Sequence, residues 1–141
     1  MPTANLNQLA HTVRLASMRL TRRVRYHADT MPPHHFAALA WLETGTVHTA
    51  AEMAEKERVS APSMSRTVSE LLEKGLISKE TDPEDRRRQL LSLTQLGHEA
   101  LANSRQQRNY WMSQQLARLT ETQRKTLADA AEILNQLLEA K

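Results

Sequence analysis

The sequence predicts a mainly α-helical chain that carries one small β-hairpin. Two observations lead to that class. Apolar residues recur every three or four positions in successive segments, and prolines, glycines and hydroxyl residues suited to capping punctuate them. One region breaks the rhythm: two short apolar runs, Leu76-Ile77 and Leu90-Leu91-Ser92-Leu93, enclose the turn-rich, charged stretch Thr81 to Arg88.

A chain of 141 residues has the length of about one domain. Its 25% charged and 40% hydrophobic residues are ordinary globular values. The longest apolar run, Phe36 to Leu42, is far short of the roughly 20 residues that cross a bilayer, and residues 1–15 lack a basic start followed by an apolar core. The expectation is a cytoplasmic protein with no membrane contact. The absence of cysteine excludes disulfides, thiolate metal sites and thiol nucleophiles. Three scattered glycines leave no phosphate-cradling loop. No cofactor is expected, and Glu52, Asp85 and His98 have no spacing that assembles an acid, a base and a nucleophile, so no enzyme chemistry is expected either.

Fourteen of the nineteen cations are arginine, whose planar fork suits phosphate and guanine edges. They are unevenly placed. Residues 1–30 carry +4, 31–75 carry −2, 76–94 are neutral and 95–141 carry +1. A basic surface must therefore arise by placement rather than by bulk charge.

Leu6, Leu9, Val13, Ala16, Leu20 and Val24 form one stripe on a first helix that ends near Thr30, stopped by Met31-Pro32-Pro33. A second helix, about 34–43, holds Phe36, Leu39 and Leu42 and ends at Gly45. Thr49-Ala50-Ala51-Glu52 reads as a capping box opening a short helix to about Lys56. Ser60-Ala61-Pro62 caps a fourth helix whose buried stripe is Met64, Val68, Leu71 and Leu72; Pro62, Arg66, Ser69 and Glu73 lie opposite, flanked by Ser63 and Glu70. Gly75 closes it, and the hairpin follows. Thr94 caps a long fifth helix to about Leu119, polar throughout Asn103 to Asn109. A second capping box, Thr120 with Gln123, opens a last helix striped by Leu127, Ala131, Leu134 and Leu138.

A short helix, a tight turn, a capped helix and a hairpin in that order make a winged helix-turn-helix. The segment Thr49 to Gly97 resembles the MarR-type (multiple antibiotic resistance regulator) transcription factors. The resemblance rests on Met53-Ala54, Ser60-Ala61-Pro62-Ser63-Met64-Ser65-Arg66, Leu72-Glu73-Lys74-Gly75-Leu76-Ile77, Asp82-Pro83-Glu84-Asp85-Arg86-Arg87 and Leu93-Thr94-Gln95-Leu96-Gly97. Asp85-x-Arg87, five residues before Leu93-Thr94, is the most diagnostic part, and the flanking helices match in position and length. The departure is Glu57-Arg58, where many members carry an apolar residue and glycine.

The resemblance implies a head over 31–96, a helical dimerisation region over 1–30 and 97–141, and a homodimer on a palindromic double-stranded operator. Ser60, Pro62, Ser63, Ser65 and Arg66 would enter the major groove, and Arg86, Arg87 and Arg88 would form a wing in the minor groove, with Asp85 pairing Arg87 to hold it. A small-molecule effector would release a repressor from its operator. Arg14, Met18, Tyr26, His35, Trp41 and Trp111 stand at positions that match the effector pocket, although for each of them a packed core or interface role is the stronger reading.

Blander readings stand beside these. Arg66 could pair with Glu70 at i, i+4, and the three consecutive arginines could neutralise Asp82, Glu84 and Asp85 in a solvated loop. The alternative function is an architectural or protein-interaction module with no effector. A metal site is not expected: no His-x-x-His or His-x-x-x-His pair exists, and the adjacent His34 and His35 should point to different sides of a helix.

Overall fold

The computed structural model describes residues 3–28 and 31–139. Its elements are α1 (Thr3–Ala28), α2 (Pro33–Glu43), α3 (Ala50–Glu57), α4 (Ala61–Glu73), β1 (Ile77–Thr81), β2 (Gln89–Leu93), α5 (Gln95–Leu116) and α6 (Glu121–Glu139). Six helices and one two-stranded antiparallel hairpin are the expected class. Thr30, where the sequence places the end of the first helix, lies outside the described residues. α2 starts one residue earlier than expected, because Pro33 occupies the first helical position, where its missing N–H costs nothing. α5 stops at Leu116 rather than near Leu119, and Arg124 of α6 donates to the carbonyls of Leu116 and Leu119 at 3.4 and 3.1 Å, satisfying acceptors that the helix end leaves open.

The chain forms two compact units, Asp29–Gln107 and Met1–Ala28 with Arg108–Lys141. The first is the head. Leu39, Val47, Met53, Leu71 and Leu101 are its most deeply buried side chains, and each removes about 1.5–3 kcal/mol worth of apolar surface from water. Phe36, Trp41, Val68 and Leu72 pack against that core. Ser104, inside the all-polar stretch of α5, is buried as well, so that stretch is not solvated throughout.

Capping chemistry sets most element ends. Ser60 Oγ accepts from Ser63 N–H at 3.2 Å, and Thr94 Oγ1 accepts from Gly97 N–H at 3.0 Å while donating to Gly75 O at 2.7 Å. The box at Thr120 is fully reciprocal: Gln123 N–H donates to Thr120 Oγ1 at 3.1 Å, and Thr120 N–H to Gln123 Oε1 at 3.0 Å. The box at Thr49 is not. Glu52 N–H donates to Thr49 Oγ1, but the carboxylate takes the threonine hydroxyl at 3.0 Å rather than the backbone N–H.

Both α3 and α4 end in Schellman motifs. After α4, Leu76 N–H reaches Leu71 O and Gly75 N–H reaches Leu72 O, both at 3.0 Å, with Gly75 at φ +74°. After α3 the same pattern links Val59 to Ala54 and Arg58 to Glu55, but the left-handed residue is Arg58, at φ 59° and ψ 44°. Family-like glycine at this position thus has a physical reason, and arginine here holds a conformation that L-residues reach at a cost.

In the hairpin, Ile77 pairs with Leu93, Lys79 with Leu91 and Thr81 with Gln89. Ile77 and Leu91 are buried, whereas residues 78–81 are exposed, so the hairpin is rooted in the core and its far half stands in solvent. Leu91 N–H also donates to His48 O at 2.7 Å, tying β2 to the segment before α3. Gly97 is the tightest position: a Cβ there would overlap the backbone carbonyl of Leu76.

Two stability outcomes follow. Gly97→Ala should destabilise the head by about 2 kcal/mol or more, since the obstruction is backbone and cannot rotate away; a denaturant melt checks it. Arg58→Gly should stabilise by up to about 1 kcal/mol, the relief of left-handed strain exceeding the entropy glycine costs; the same measurement applies.

Candidate nucleic-acid interface

α4 is anchored by Met64, Thr67 and Leu71, which the head buries. Thr67 satisfies its hydroxyl by donating to Ser63 O at 3.2 Å. Pro62, Ser63, Ser65, Arg66 and Ser69 are left exposed on the other side, as the 100° projection requires. Ser60 spends its oxygen as the helix cap, which occupies the Ser63 N–H. Ser63 and Ser65 present only their side chains outward.

Arg66 has no ion-pair partner among the described residues. Glu70, its neighbour one turn on, is engaged elsewhere: Nε2 of His34 and Nε2 of His35 both lie 3.3 Å from Glu70 Oε1. The two rings meet edge to face, 4.5 Å apart. The expectation that adjacent histidines diverge is therefore corrected. They occupy the first turn of α2 next to α4, and both long side chains bend to one acceptor. Burial pushes His35 below its ordinary value, while the hydrogen bond to Glu70 opposes the shift. Hydrogen bonds from His35 and then His34 hold the Glu70 carboxyl below the usual range.

At the wing tip, the side chains of Asp82 and Asp85 organise the backbone. Asp82 Oδ1 accepts from Glu84 N–H at 2.9 Å, and Asp85 Oδ1 from Arg87 N–H at 3.0 Å, two Asx turns in succession. The three arginines differ sharply. Arg87 Nε reaches Asp85 Oδ1 at 3.3 Å, yet its side chain is 92% exposed. Arg88 is paired twice while its side chain stays 46% exposed: its Nη1 lies 3.3 Å from Asp82 Oδ2 and its Nη2 3.3 Å from Glu52 Oε1, joining the wing to the start of α3. Arg86 is exposed and has no acid partner among the described residues. The Glu52–Arg88 pair spans 36 residues, and Glu52 already had a local role in the capping box, so no spacing rule could find it.

The six effector-pocket candidates have identifiable contacts. His35 lines a cavity of about 280 Å³ in the head together with Lys74, Asn103, Ser104 and Gln107. Trp41 donates its indole N–H to Glu57 Oε1 at 3.2 Å, bracing α2 against α3. In the other unit, Trp111 stacks on His27 at 5.4 Å, and Tyr26 meets the same ring edge-on in a recess bordered by Arg19, Arg22 and Arg23. Arg14 lies 3.4 Å from His11 Nδ1, and Met18 is exposed.

The MarR family matches residues 31–88. An HTH-type transcriptional regulator of Mycobacterium leprae, itself uncharacterised, is 32% identical over 94% of both chains. The crystal structure of a Pseudomonas aeruginosa PA01 protein assigned as a transcriptional regulator is 30% identical, with a TM-score of 0.87 over 99% of this chain and 100% of that one. A single-residue mutant of S. aureus MepR, seen bound to an oligodeoxyribonucleotide, shares the fold at 18% identity, with a TM-score of 0.67 over 92% of this chain and 97% of that one. No helix among the described residues is long and apolar enough to cross a membrane. With its winged head matched and near full-length likeness to a transcriptional regulator, the chain belongs to the MarR family of winged helix-turn-helix transcriptional regulators.

Proposed function

We propose that the chain is a ligand-responsive repressor that holds a palindromic operator as a homodimer, with α4 in the major groove and the wing tip in a flanking minor groove. The observation that carries this reading is the distribution of partners: Glu52, Glu70, Asp82 and Asp85 are each engaged by another side chain, whereas Arg66 on α4 and Arg86 on the wing have no acid partner among the described residues. Ser60, Pro62, Ser63 and Ser65 let the helix N-terminus approach phosphate closely, and Arg66 supplies a fork for a base edge. Asp85 and Arg87 hold the tip. Arg88, by its two carboxylates, positions the wing more than it touches DNA. MepR, of the same fold, is a protein seen on DNA.

Homodimerisation is supported by the unit formed from the chain ends. None of its described residues is buried, and Leu6, Leu9, Leu20, Leu127, Ile133 and Leu137 are each between 44% and 66% exposed. An isolated chain of this size does not leave that much apolar surface in water. The cavity beside His35 and Lys74, near the lower size limit of small-ligand pockets, supports a ligand step.

Titration of the protein against a palindrome and a scrambled duplex at several salt concentrations tests the reading. Arg66→Ala should cost about 1–3 kcal/mol on the palindrome and little on scrambled DNA. Arg86→Ala should weaken binding at A·T-rich flanks and lower the salt slope by about 1. Equal losses of Arg66→Ala on both duplexes would reduce Arg66 to a phosphate contact. For assembly, Leu127→Asp should shift sedimentation from dimer to monomer or aggregate, and an undisturbed dimer would remove the proposed interface.

A further inference from the structure

The His34, His35 and Glu70 cluster includes none of the residues proposed above to meet DNA, and its geometry suits more than a hydrogen bond. Two imidazole nitrogens converge on one carboxylate oxygen at 3.3 Å each, beyond the usual 2.9–3.0 Å for N–H···O. The three donor atoms lie within 4.8 Å of one another. For a tetrahedral ion with metal–nitrogen and metal–oxygen distances near 2.0–2.1 Å, neighbouring donors stand about 3.3–3.4 Å apart. Two edges of the triangle already have that length.

From this we infer that His34, His35 and Glu70 form a divalent transition-metal site, of the kind that takes Zn²⁺, joining the first turn of α2 to the second half of α4. Nitrogen and carboxylate donors without sulfur suit zinc and its neighbours rather than calcium or magnesium. His35 is almost wholly buried, so its ring is held in place, whereas His34 and Glu70 are about half exposed and leave the ion a path from solvent. Closing the site requires the two imidazole nitrogens, which lie within 4.8 Å of each other, to be drawn together on the side of the exposed His34 ring, with both Nε2 lone pairs facing the ion and Nδ1 of each ring carrying the proton. Three protein donors leave a fourth position for water or another ligand. Lys74 is the opposing cation near His35 and moderates the affinity. The site is independent of whether the chain binds DNA as proposed above.

The test uses untagged full-length protein titrated with Zn²⁺ against a chromophoric chelator, and with Co²⁺ followed by visible absorption. The expected result is one ion per chain, with Co²⁺ bands of a low-coordinate site and a rise in melting temperature on adding Zn²⁺. His34→Ala and Glu70→Gln, both at partly exposed positions, should each weaken binding about tenfold or more and abolish the bands. His98→Ala, which changes a histidine elsewhere on the head, should bind as the unaltered chain does. Absence of stoichiometric binding, or binding that survives both His34→Ala and Glu70→Gln, would overturn the inference.

Discussion

Met64, Thr67 and Leu71 follow one another at intervals of three and four residues on the buried face of α4, and their burial fixes the rotation of that helix about its axis. Much of the head depends on that rotation. It sends Pro62, Ser65, Arg66 and Ser69 outward and leaves Glu70 on the flank, within reach of the two histidines of α2. The same helix also sets where the hairpin departs. Its Schellman ending places Leu76 back against Leu71, β1 starts at the next residue, and the Leu76 carbonyl forms the wall against which Gly97 must remain side-chain-free.

Electrostatics add a second level of order. The head is not basic overall, and its acids are largely committed to local contacts. Glu43 pairs with Arg105, Glu57 with Trp41, Glu70 with the histidines, Asp82 and Glu52 with Arg88, and Asp85 with Arg87. Arg105 also lies over the Phe36 ring at 5.9 Å. Individually, half-exposed pairs of this kind contribute little to stability, about 0–1 kcal/mol. Collectively they decide which arginines have a carboxylate beside them and which face outward alone.

Signals confined to a few consecutive residues were legible in the sequence. The caps at Ser60, Thr94 and Thr120, the glycine stop at Gly75, the buried stripe of α4 and the hairpin all follow from short-range rules and appear where those rules put them. The resemblance carried the rest of the class. What the sequence concealed depends on contacts between distant segments. One partner of Arg88 is 36 residues away, the need for glycine at 97 arises from the carbonyl of Leu76, just ahead of β1, and the shared acceptor of His34 and His35 is on another helix. Buried Ser104 was hidden for a related reason, since a polar letter in a polar run gives no sign of facing inward. The Glu57-Arg58 departure lay between these cases: visible as an anomaly, but given meaning only by the left-handed backbone at Arg58.

The unit built from the chain ends has no buried side chain among its described residues, and that bears on how its helices come to be ordered. Helical stability in proteins comes mostly from packing an apolar face, and α6 has none of its residues inside. The head can draw its stability from its own core at any dilution. The terminal helices must draw theirs from whatever covers their leucines. If a second copy does so, their folding becomes a bimolecular event, and the number of chains in the cell sets the ordered fraction. Below the concentration at which such pairing occurs, the head would remain folded while the terminal helices lost the packing that orders them.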